Sequence, residues 1–89
     1  MNQSPQPFSF INDENVKRLA GFSVANADKP WLTAMVARYL RQDLAGEWIM
    51  ALPLQLRVRV ALAALNLYEL SHEQIAALEA DLREFLGRS

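Results

Sequence analysis

Residues 52–86 read LPLQLRVRVALAALNLYELSHEQIAALEADLREFL, two amphipathic segments joined by a short turn. Leu52, Leu54, Leu56, Val58 and Val60 alternate with Pro53, Gln55, Arg57 and Arg59, which is the period of a strand. The same residues fit a helix, because Leu54, Val58, Leu62 and Leu65 fall on one helical face. Two observations favour the helix. The apolar run continues through Ala61, Leu62, Ala63, Ala64 and Leu65, which are strong helix formers, and no second strand-like segment exists to pair with it. Pro53 also suits a first helical turn, where its missing N–H costs nothing. A helix over residues 53–69 is expected.

The following segment carries the clearest local signals. Ser71 is an N-cap and Gln74 completes an S-x-x-Q capping box, with Leu70 placed to act as a hydrophobic staple. Ile75, Leu78, Leu82, Phe85 and Leu86 form the stripe to be buried. Glu79 precedes Arg83 by one turn, and Gly87 ends the run.

Working toward the N-terminus, residues 31–40 place Trp31, Leu32, Met35, Val36, Tyr39 and Leu40 at helical spacing. Asp28 is the expected cap of this helix, Pro30 belongs to its first turn, and Gly46 is expected to end it. A short helical piece over 47–52 follows. Residues 22–27 read as a loop. Before them, Asn12 caps a first helix over about 13–20; Asp13 and Glu14 complement its positive end and precede Lys17 and Arg18 by three to four residues. Gly21 reads as its stop. Residues 1–9, with Pro5 and Pro7 among polar neighbours, read as a flexible N-terminal tail whose end Phe8 and Phe10 can anchor. The expectation is all-α: one small bundle over 10–89, of four short helices, or five if 47–52 stands alone.

At 89 residues the chain buries only about 60% of the surface its unfolded form exposes. With no cysteine, neither disulfides nor thiolate metal sites supplement the core, so apolar burial must stabilise it. Residues AVILMFWYC make up 52% of the chain, more than so small a body readily hides, which points to an association surface. The net charge of −1 argues against a general polyanion binder. Residues 1–59 hold seven basic and five acidic side chains, and residues 60–89 two and five, so the last helix is the acidic part. Pro53, Arg57 and Arg59 interrupt the best candidate for a membrane span, and the N-terminus lacks a signal-peptide pattern; a cytoplasmic protein is expected.

Catalytic sets are sparse. His72 is the sole histidine; it stands beside Ser71, but Ser71 is better used as a cap. His72-Glu73 begins H-E-x-x-H, yet position 76 is Ala. Asn12, Asp13, Glu14 and Asn15 lack the spacing of a calcium loop, and Gly21, Gly46 and Gly87 form no phosphate loop. No enzyme activity, cofactor or metal is expected.

What remains is surface. Trp31, Met35, Trp48 and Met50 are the candidate interface residues. Arg38, Arg41, Arg57 and Arg59 are the candidate contact to an anion or nucleic acid. The favoured function is a small interaction module, a regulator, inhibitor or accessory subunit, docking an apolar helix face on another protein or on itself as a homodimer. The alternative is a small nucleic-acid-binding transcriptional regulator using the four arginines. A weaker third reading is an apolar-ligand carrier with a pocket near Trp31 and Trp48.

Overall fold

Local chemistry sets where each helix begins, and tertiary contacts set where several of them end. The structure, a computed structural model, describes residues 6–88. Five α-helices follow in order: α1 (Leu19–Ala25), which extends a 3-10 turn at Val16–Arg18; α2 (Pro30–Ala37); α3 (Gln42–Met50); α4 (Leu54–Ala63), continued by a 3-10 turn at Ala64–Asn66; and α5 (His72–Arg88). No strand occurs among the described residues, so the 52–60 alternation resolves as helix. The all-α expectation holds with five helices, but the helical piece expected over 47–52 is not separate: its residues 47–50 are the end of α3.

The capping box at α5 forms as its residues dictate. The Gln74 N–H donates to Ser71 Oγ at 3.1 Å, and the Ser71 N–H donates to Gln74 Oε1 at 2.9 Å. Asn12 and Asn15 make a similar reciprocal pair further upstream: Asn12 Oδ1 accepts from the Glu14 and Asn15 amides, and Asn15 Oδ1 accepts from the Asn12 amide.

Several expected boundaries are corrected. The first helix starts as a 3-10 turn at Val16, with Asn15 rather than Asn12 at its N-cap position. The loop expected over 22–27 is helical as far as Ala25, and the helix expected over 53–69 ends by Asn66. Gly87 lies inside α5. Gly21 is not a stop; it lies within α1, where a Cβ would come 2.8 Å from Phe85 Cζ, so its missing side chain admits the Phe85 ring of α5. Gly46 likewise lies inside α3, and the helix expected to run to it breaks at residues 38–41. Tertiary contact accompanies that break. The Tyr39 ring turns in to sit 5.8 Å from Phe8, and its hydroxyl accepts the Leu70 N–H at 3.4 Å. Arg41 is then extended (φ −58°, ψ 150°) as the N-cap of α3. Asp28 is not a cap: Lys29 holds the N-cap position of α2 with no side-chain bond, and Pro30 at the first turn supplies the start.

α2 packs along α4 and α1 along α5, while α3 touches both α1 and α2. Trp48, Leu19, Leu52, Leu82, Val16 and Val36 are essentially inaccessible at the centre. Among them lies a polar knot. Trp48 Nε1–H on α3 donates to Ser23 Oγ on α1 at 2.9 Å, and Ser23 Oγ lies 2.6 Å from Thr33 Oγ1 on α2. Three helices thus meet at one hydroxyl in a dry environment, where a satisfied network fixes mutual position.

Of the tail expected over 1–9, only residues 6–9 lie within the described residues. Phe8 is buried, takes φ 61°, and donates its N–H to Glu79 Oε2 at 2.7 Å, so its ring closes the core from the N-terminal side. A left-handed conformation at a non-glycine residue costs roughly 1–2 kcal/mol, offset here by that burial and by a charge-assisted hydrogen bond. Glu79 is therefore used by Phe8, and Arg83, its expected helix partner, stacks 4.6 Å above the Phe10 ring instead.

Candidate docking face

Helix α4 is apolar on both sides. Leu56 and Val60 point inward and are buried against the core, which is what an amphipathic helix requires. The opposite side carries Leu54, Val58, Leu62 and Leu65 at steps of four, four and three residues, which remain 68%, 52%, 61% and 77% exposed. Ala61, between them on the same face, is exposed too. At 1.5 Å per residue this ridge runs about 16 Å along the helix. Isolated exposed leucines need no explanation, but a continuous stripe opposite a buried stripe does.

A groove lies on each side of the ridge. On one side Ala34, Ala37, Arg38, Arg57, Ala64 and Leu67 line a shallow apolar trough between α2 and the end of α4. On the other, Val24, Ala27, Pro53 and Arg59 line a trough between the end of α1 and the start of α4. Trp31 and Tyr68, both exposed, share a third depression with Ala63 and Asn66 near the far end of α4.

The four interface candidates separate. Met35 and Trp48 are core residues. Trp31 is 44% exposed in the depression just described, and Met50 is 66% exposed, its sulfur 3.9 Å from Arg57 Nη1. Trp48, fully buried and bonded to Ser23, is not the wall of an open pocket shared with Trp31.

The four arginines do not converge either. Arg38 and Arg57 line one groove, Arg59 lines the other, and Arg41 lies elsewhere, beside Tyr39 and Leu44. Arg41 is held by both carboxylate oxygens of Asp43, in an exposed ion pair of 3.1 Å. The others bond backbone carbonyls: Arg38 to Tyr68, Arg57 to Leu52 and Arg59 to Ala27.

His72 is exposed in the first turn of α5, with Ser71 spent on the capping box. Among the described residues no group of three or more His, Asp or Glu side chains gathers at a metal-sized site, and no helix is long and apolar enough to cross a membrane. Searches against protein-family models, curated proteins and solved structures find no match for this chain.

The residues of the exposed ridge are absent from the candidates drawn from sequence. The signal was present. Leu54, Val58, Leu62 and Leu65 share one face, and Leu56 and Val60 share the other, so one side of this helix had to face away from the core of so small a domain.

Proposed function

We propose that this chain is a small helical interaction module that binds through the outer face of α4. The observation that carries the reading is the ridge of Leu54, Val58, Leu62 and Leu65, exposed in a chain whose core is already closed by the inner face of the same helix. A helix laid along the ridge would fill the two flanking grooves, in the helix-against-groove manner of many regulatory and accessory proteins.

The magnitudes describe the kind of complex. Burying a leucine or valine side chain fully contributes about 1.5–3 kcal/mol. With half to three-quarters of each ridge residue available, four of them supply on the order of 4–8 kcal/mol gross. The entropic cost of association, about 4–15 kcal/mol, is of the same size. The ridge alone therefore gives a weak complex. Edge contacts from Val24, Met50, Trp31 and Tyr68 must add to it, and the partner is another protein or a second copy.

Nucleic-acid binding draws less support. Its four arginines are divided among three places, Arg38 with Arg57, Arg59 across the ridge and Arg41 apart, and Arg41 is already paired with a carboxylate.

The test is a photocrosslinking amino acid placed at position 62 in cells of the native host, with position 76 on the exposed side of α5 as control. A discrete protein adduct at 62 and none at 76 is expected. Absence of any adduct at 62, or equal labelling at both, sinks the docking face.

A further inference from the structure

The edges of the docking face carry charge of one sign. From Trp48 to Tyr68 the chain contains no Asp or Glu, and its charged residues there are Arg57 and Arg59. These two project on opposite flanks of the ridge, one into each groove, and Arg38 joins Arg57 on its side. None of the three belongs to an ion pair among the described residues; their guanidinium groups touch backbone carbonyls, a thioether and, for Arg38, the Tyr39 ring. No carboxylate lies within ion-pair distance of these three guanidinium groups among the described residues. The apolar stripe lies between two cationic margins.

Taking the docking role of α4 as given, we infer that its occupant is an amphipathic helix of another protein whose apolar stripe is bordered by carboxylates on both sides. Arginine matches a carboxylate through paired N–H donors, and a partner helix seated on the ridge would present its flanking positions to Arg57 and Arg38 on one side and Arg59 on the other. A second copy of this chain fits less well. In an antiparallel two-fold pairing of α4 the Arg57 edge faces the other copy's Arg57 edge. In a parallel one the Arg57 edge faces its Arg59 edge. In either case no acid from α4 answers a cation. Of the five acids of the C-terminal third, Glu73, Asp81 and Glu84 sit exposed on α5, Glu79 accepts the Phe8 N–H, and Glu69 is exposed in the segment that follows Tyr68.

The experiment uses the full chain and two labelled helix-favouring peptides. Both carry leucines at i, i+4, i+7 and i+11; one has glutamates at every flanking position and the other has lysines. Fluorescence anisotropy at low salt should show the glutamate peptide binding at least tenfold more tightly. That preference should shrink as salt approaches 1 M, where screening acts within about 3 Å. Arg57→Gln with Arg59→Gln should remove the preference, and Val58→Glu with Leu62→Glu should remove binding. Equal affinity for the two peptides overturns the carboxylate-bordered partner while leaving the docking face standing. Binding of neither overturns it as well, and a concentration-dependent dimer that Leu62→Glu dissociates assigns the face to a second copy instead.

Discussion

Replacing Ser23 with alanine should cost this protein far more than the loss of one surface hydroxyl. Ser23 is 1% exposed, and its Oγ both accepts the indole N–H of Trp48 and contacts the Thr33 hydroxyl. Ser23→Ala leaves the Trp48 N–H in a dry core without an acceptor, a penalty of about 1–3 kcal/mol. Thr33 escapes that penalty, because its hydroxyl can turn to a carbonyl one turn earlier in its own helix. Alanine returns a few tenths of a kcal/mol in helix propensity, about 0.5 at most. The net expectation is a destabilisation of about 1–2.5 kcal/mol, on the order of 10 °C in Tm for a domain of this size. Urea unfolding followed by circular dichroism measures it directly. Trp48→Phe removes the donor itself, so in that background Ser23→Ala should cost about 1 kcal/mol less than in the native chain. An additive double-mutant cycle, or a Ser23→Ala variant within 0.3 kcal/mol of the parent by the usual limit of additivity, would refute the buried knot.

Gly21 and Gly46 make a matched pair. Gly46 has open space where a Cβ would stand, so Gly46→Ala should stabilise the chain by about 0.5–1 kcal/mol in thermal melts. Gly21→Ala should give no such gain, because the Phe85 ring must retreat from its edge-on contact with Phe22; combined with Phe85→Ala, the same substitution should recover it. Ser71→Ala breaks the reciprocal bonds with Gln74 and should cost about 1 kcal/mol, with α5 fraying first in hydrogen exchange.

Much of the fold was legible because local chemistry wrote it. The α5 capping box and the helical continuation of residues 52–65 follow from residue type and spacing alone. The misplaced boundaries do not share one cause. Nothing lies within 4 Å of the Cβ position at Gly46, whereas Gly21 and the 38–41 break involve residues distant in sequence. Gly21 and Gly46 are common helix stops, yet each sits inside a helix. At Gly21 the reason is the Phe85 ring, 64 residues later in the chain, which no local window contains. The break at residues 38–41 is similar, since Tyr39 is drawn toward Phe8 and Leu70, both distant in sequence. The candidate site was half legible. Apolar excess announced a surface, and the tryptophans drew attention as common binding anchors. Trp48 instead met a buried hydroxyl that gave its N–H a partner, while the plainer leucines of α4 were left outside.

The docking face exists only if this chain completes its core without the outer face of α4. The stability of the Val58→Glu/Leu62→Glu double variant tests that most directly. Urea unfolding should place it within about 1 kcal/mol of the parent, as exposed substitutions usually fall within about 0.5 kcal/mol each. A loss of more than 3 kcal/mol, the scale of a disrupted core, would mean that these residues are packed inside and that no docking face exists.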